Sequence, residues 1–190
     1  MAAATRTRHA CAGAVLAAAL VAAGCGSAGS ANSDHLAEQH AVRAYVRTIE
    51  PLRLHVNKLL DGADPILRGY SEHRLTAVEA QRKMRRLERQ LVPYVKAVAE
   101  LRSVPPDLAA AQNAYAHTYV LEDRYLRALI SALPRRQWDR LPHTEAWQRQ
   151  IIVAWRDALA REAARVHVPL PHDIQIAGTG EITPSPEGDS

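Results

Sequence analysis

The chain has 190 residues, 47% hydrophobic and 23% charged, with 24 basic against 20 acidic side chains and a formal net charge of +4 at pH 7. This is the composition of a packed domain, and it excludes a disordered or fibrous chain. Two cysteines exclude a disulfide framework and a four-cysteine zinc module, and 21 arginines against three lysines reflect coding bias more than chemistry.

Arg6 and Arg8 precede an apolar run from Ala10 to Ala23. That run is too short to span the ~30 Å hydrocarbon core of a bilayer, and it ends in small residues, as a cleavable export signal does. Its end, Val21-Ala22-Ala23-Gly24-Cys25, resembles the lipobox of bacterial lipoproteins. The resemblance implies that residues 1–24 are a signal peptide, that cleavage falls between Gly24 and Cys25, and that the Cys25 sulfur carries a diacylglyceryl group. It implies export and anchoring to the outer face of the cell membrane. Cys11 would leave with the signal, so no disulfide is expected in the exported domain. Loss of Arg6 and Arg8 lowers the net charge to about +2, and with export this argues against a nucleic-acid partner.

Residues 25–33 read as the lipidated cysteine and a flexible Gly/Ser tether. Residues 34–166 read as one helical domain. Asn32, Ser33 and Asp34 offer N-cap oxygens to a first helix whose apolar positions (Val42, Tyr45, Ile49, Leu52, Val56, Leu59, Ala63) recur three and four apart. Pro51 lies inside it and predicts a kink. Gly62–Tyr70 reads as a connector. Thr76-Ala77-Val78-Glu79 is a capping box opening a second helix, with Met84, Leu87, Leu91, Tyr94, Val98 and Leu101 on one stripe and a second kink at Pro93. Val104-Pro105-Pro106 ends it.

A third helix runs from Pro106 to Leu133, carrying Leu108, Ala111, Tyr115, Tyr119, Leu126 and Leu129. A fourth, capped by Thr144, carries Trp147, Ile151, Ile152, Trp155, Leu159, Ala163 and Val166. The Pro/Gly-rich tail, 167–190, shows no helical period and is expected to be mobile from Thr179 onward. The fold class predicted is all-α: an antiparallel up-down-up-down four-helix bundle with proline-kinked first and second helices. With its lipobox and the Val104-Pro105-Pro106-Asp107-Leu108 helix break, the chain resembles small all-helical lipoproteins of high-GC Gram-positive bacteria. That resemblance implies no particular activity.

Four groups of residues could carry chemistry. Glu122 falls on the tyrosine-bearing stripe of the third helix. A carboxyl buried among tyrosines has a displaced pKa, although pairing with an arginine of another helix or a tyrosine hydroxyl is the commoner arrangement. Asp123 is placed to pair with Arg127. The two kinks predict a cavity between the first two helices, lined by Tyr45, Ile49, Tyr94 and the third-helix tyrosines Tyr115 and Tyr119. Arg82, Arg85, Arg86 and Arg89 form a basic stripe suited to anionic lipid or wall polymer, with Glu79 and Glu88 available to neutralise it. His35, His40, His167 and His172 gather at one pole of an antiparallel bundle, with Glu38 and Asp173. His35 and His40, five apart, lack ligand spacing, so they are weak metal candidates and no metal or other cofactor is expected.

His-Glu-x-x-His, Cys-x-x-Cys, Gly-x-Ser-x-Gly and Walker motifs are absent from the sequence. The function expected is therefore binding, not catalysis, with the membrane and another envelope protein as partners. The alternatives are a small-ligand or metal sensor using the kink cavity, and a polymer- or lipid-binding protein using the arginine stripe.

Overall fold

The computed structural model describes residues 27–186, with side chains from Asn32 onward. Residues 1–24, expected to be a signal peptide, the expected Gly24–Cys25 cleavage site and Cys25 itself lie outside the described residues. Among those residues the chain is all-helical and contains no strand.

Helix α1, Ser27–Asp61, starts inside the Gly/Ser-rich segment, so Asn32, Ser33 and Asp34 are helical and do not cap. It runs on through Pro51, which faces solvent, as does Pro93 in α3. The stretch expected to be a connector holds a short helix, α2, Asp64–Ser71. Pro65 is favourable there, because a first-turn amide has no intrahelical partner. Helix α3, Ala77–Ala99, opens on the capping box read from the sequence: Thr76 Oγ1 accepts from the Glu79 amide at 3.3 Å, and Glu79 Oε2 accepts from the Thr76 amide at 2.9 Å. A 3₁₀ turn at Pro106–Leu108 leads into α4, Ala109–Ala132, and α5 spans Glu145–Arg165.

Helix α4 is the central element, packing against α3 on one side and α5 on the other, while α1 lies against α3 and touches α5 sparingly. The core holds the stripes expected from the periodicity: Val42, Tyr45, Ile49 and Val56 from α1, Met84, Leu87, Leu91 and Val98 from α3, Leu126 and Leu129 from α4, and Trp155 and Leu159 from α5. Trp147 departs from its expected place, being 48% exposed against the His117 ring. Gln148, its neighbour, turns inward instead. Thr144 Oγ1 donates to Gln148 Oε1 at 3.1 Å and does not cap the helix. Among the described residues no helix is long and apolar enough to cross a membrane.

Helix α5 ends in a Schellman turn. His167 sits at φ 55, the Val168 amide bonds the Ala163 carbonyl at 2.8 Å, and the His167 amide bonds that of Ala164 at 3.2 Å. The turn sends the chain back across the helices, so the segment from Val168 does not extend away from the domain. It forms a one-turn helix, α6, His172–Gln175, and continues over the seam between α1 and α5. Residues 179–186, expected to be mobile, include Thr183, which is buried, and Pro184, whose carbonyl accepts from Tyr125 Oη at 2.8 Å.

Candidate functional site

The sparse packing of α1 against α5 leaves a cleft floored by α4 and walled by the C-terminal segment, with a volume of about 400 Å³. Each wall has a local cause. On α1, Arg53 interrupts the apolar stripe between Ile49 and Val56. On α5, Gln148 occupies the position one turn before Ile152. Long polar side chains there keep the two helices from closing as Leu or Ile would.

The outer wall is the C-terminal segment, held by its backbone. Arg149 Nη1 donates to the carbonyls of Gly178 and Gly180, both at 2.8 Å. Arg156 Nη1 reaches the Ala177 carbonyl at 3.3 Å, and Arg53 Nη2 that of Asp173 at 3.2 Å. Gly178 is required where it is: its φ is +86, and a Cβ would meet Val153 Cγ2 at 3.0 Å.

Beneath the cleft lies a layer of paired aromatic and polar groups. Trp155 Nε1 donates to Tyr45 Oη at 2.7 Å, Tyr45 Oη donates to Gln112 Oε1 at 2.5 Å, and Gln112 Nε2 donates to the Val98 carbonyl at 3.1 Å. Tyr115 stacks on Trp155 with ring centroids 4.1 Å apart, and its hydroxyl shares a 2.9 Å hydrogen bond with that of Tyr119. Burial pushes all three tyrosine hydroxyls above their ordinary pKa, so they stay protonated. Tyr125 is likewise pushed up, to about 12, by burial.

Two groups facing the cleft are not satisfied by the fold. Glu122 is 4% exposed; Oε2 accepts from Gln148 Nε2 at a long 3.4 Å, and Oε1 has no partner. Burial raises its pKa to about 8, and the charges of Glu181 and Glu145 act in the same direction. Arg53, 5% exposed, lies with Cζ 5.6 Å over the Trp155 ring, and its Nη1 is unpartnered. An orphaned buried donor or acceptor costs about 1–3 kcal/mol, and more when charged.

The residues singled out in the sequence therefore divide. Glu122, Tyr115 and Tyr119 line the cleft. Tyr45 is fully buried beneath it, and Tyr94 is away from it, stacked on His55 at 5.4 Å. The cleft lies between α1, α4, α5 and the C-terminal segment, not between the two proline-bearing helices, because Tyr45 and Ile49 fill that space as core. Glu122 pairs with Gln148, and neither an arginine nor a tyrosine takes it up. Asp123 does pair with Arg127, at 2.9 Å.

Arg82, Arg85, Arg86 and Arg89 are all exposed, and among the described residues none closes an ion pair. Glu88 is drawn to Arg127 at 3.1 Å, and Glu79 serves the capping box. At the histidine pole, the His35 and His167 rings meet edge-on at 6.2 Å, but Glu38 is held by Arg165 at 2.7 Å. Among the described residues no group of three or more His, Cys, Asp and Glu is arranged to hold a metal ion.

Arg53 and Gln148 were not among the residues singled out from sequence, although a signal existed. Arg53 is four residues from Ile49 and three from Val56, and Gln148 is four from Ile152. Polar residues on an apolar stripe are the sequence mark of a buried polar site. Comparison with protein-family models, curated proteins and solved structures gives no match to this chain.

Proposed function

We propose that this is an exported lipoprotein, anchored through Cys25, whose helices form an antiparallel up-down-up-down bundle and whose work is to bind a small molecule in the cleft. The pairings of α1 with α3, α3 with α4 and α4 with α5 support the bundle, as does the ion pair joining Glu38 near the start of α1 to Arg165 at the end of α5. The observation that carries the binding reading is the coincidence, in one cleft, of two nearly fully buried ionisable side chains with unpartnered atoms. Ligand sites are largely preformed, mostly apolar, and carry a few convergent polar groups. A cleft of about 400 Å³ is in the size range for such ligands.

Native mass spectrometry of the full-length protein extracted from membranes tests this. A noncovalent mass of a few hundred daltons above the lipidated chain is expected, and a spectrum holding the lipidated chain alone overturns the binding reading. The anchor is tested separately: Cys25→Ser is expected to abolish acylation and release the protein from membranes, and a membrane-bound variant refutes it. The four unpaired arginines of α3 support a second reading, contact with anionic wall polymer or lipid. Replacing Arg82, Arg85, Arg86 and Arg89 by Gln should then release the protein from sedimented cell walls, and unchanged sedimentation rejects that reading.

A further inference from the structure

Glu122 and Arg53 make complementary demands. Glu122 Oε1 lacks a donor, and Arg53 Nη1 closes no well-formed hydrogen bond, although the Tyr115 hydroxyl stands against the guanidinium. They do not satisfy each other. Arg53 faces Tyr115 and Trp155, and Glu122 is two turns further along α4, about 10 Å at 1.5 Å per residue. Val56, Leu60 and Ile152 give the same cleft apolar lining. The surrounding charge is negative: Asp61, Asp173 and Glu181 also line the cleft, and Arg53 is the one basic side chain among the lining residues.

We infer that the cleft takes a small organic amine bearing a hydrogen-bond acceptor at its far end, with the amine against Glu122, the acceptor against Arg53 and an apolar body between them. This rests on the reading of the cleft as a ligand site. An ammonium group is the counter-charge Glu122 lacks, and its N–H groups reach the free oxygen. A carboxylate, carbonyl or hydroxyl at the other end takes up Arg53 Nη1 without displacing Nη2 from the Asp173 carbonyl. The acidic lining works against a ligand of net negative charge.

Binding is coupled to protonation. The groups around Glu122 are Glu145 and Gln148 from α5, Glu181 and Asp173 from the C-terminal segment, Asp61 and Arg53 from α1, Asp64 from α2, and Tyr119 and Tyr125 from α4 itself. Glu122 holds its proton in the empty cleft at pH 7 and gives it to solvent when an ammonium arrives.

The test is calorimetric titration of the full-length protein in detergent, blanked against micelles, with probes that separate the two functions. These are 6-aminohexanoate, hexylamine, hexanoate and 1-hexanol, with the four- and eight-carbon aminoalkanoates setting the span. One aminoalkanoate should bind at least tenfold more tightly than the amine or the acid of the same length. At pH 7 its enthalpy should differ between Tris and phosphate buffers, reporting the released proton. Glu122→Gln should weaken that probe at least tenfold while leaving hexanoate unchanged, and Arg53→Lys should weaken it without abolishing the preference for amines. Hexanoate binding as tightly as the aminoalkanoate, or tightening as pH falls, overturns the amine assignment and leaves the ligand site standing. No binding by any probe also overturns the assignment. The ligand site itself stands or falls on the copurified mass.

Discussion

Replacing Glu122 by Gln should stabilise the protein, and by an amount that grows with pH. The carboxyl moves from an ordinary 4.5 to about 8 on folding, chiefly because burial disfavours its charge. Between those values the folded chain keeps a proton that the unfolded chain has released. Wild-type stability is therefore full below pH 4.5, falls as pH rises toward 8, and then levels off. At 1.36 kcal/mol per decade of pH, Glu122 costs about 1 kcal/mol at pH 5, about 3 kcal/mol at pH 7 and about 5 kcal/mol at pH 9. Glutamine keeps the shape and can still accept from Gln148 Nε2, but it has no proton to lose. Any mismatch in its amide hydrogen bonds adds an offset that does not vary with pH. Urea unfolding followed by circular dichroism at pH 5, 7 and 9 should give stability curves that diverge. At pH 7 the difference corresponds to roughly 6–12 °C in melting temperature for a domain of this size. Parallel curves would refute the argument, because they would mean Glu122 titrates alike in the folded and unfolded chain.

Tyr45→Phe removes the hydroxyl that accepts from Trp155 Nε1 and donates to Gln112 Oε1, leaving two buried groups unpaired. A loss of about 1–3 kcal/mol is expected in urea unfolding. Gly178→Ala forces a side chain into a left-handed conformation, with its Cβ 3.0 Å from Val153 Cγ2 and 3.3 Å from Ile152 Cγ2. It should destabilise by about 1–2 kcal/mol, read as faster amide exchange in residues 172–184. Arg149→Gln loses the bonds to the Gly178 and Gly180 carbonyls. Amide exchange in the same segment should rise at least tenfold, with the melting temperature lowered by less than about 4 °C. Unchanged exchange there would mean that the Arg149 bonds do not hold the segment.

The helices were legible because their apolar positions recur at three and four, and because Thr76–Glu79 and Pro105–Pro106 are local signals that tertiary packing did not override. The short helix at Asp64–Ser71 was not legible. It is only two turns long, and its Asp-Pro and Gly residues read equally well as a turn. The C-terminal segment was missed for a different reason. Its order comes from arginines 21 to 120 residues away that grip its carbonyls, and backbone acceptors leave no trace in a side-chain pattern. Glu122 could be picked out because it shares a stripe with Tyr115 and Tyr119. Its environment could not, since that depends on Gln148 and not Trp147 turning inward, a rotation of one residue that periodicity does not resolve.

The charge arrangement around Glu122 is informative because the chain had other options. Arginine is abundant, and Arg149 lies on α5 directly after Gln148, the residue that touches Glu122. Arg149 instead bonds Glu145 and the two glycine carbonyls, and Arg127 goes to Asp123 and Glu88 on the other side of α4. Arg149 and Arg127 are thus committed to fastening the wall and the helix surface. A buried carboxyl with no cation is destabilising, and a leucine at position 122 would avoid that cost. The same residue that weakens the fold is the one a ligand cation would neutralise, so occupancy and stability are linked. Raising the concentration of an amine that fits should raise the melting temperature of the wild-type protein, and the same rise in Glu122→Gln should need at least about tenfold more amine.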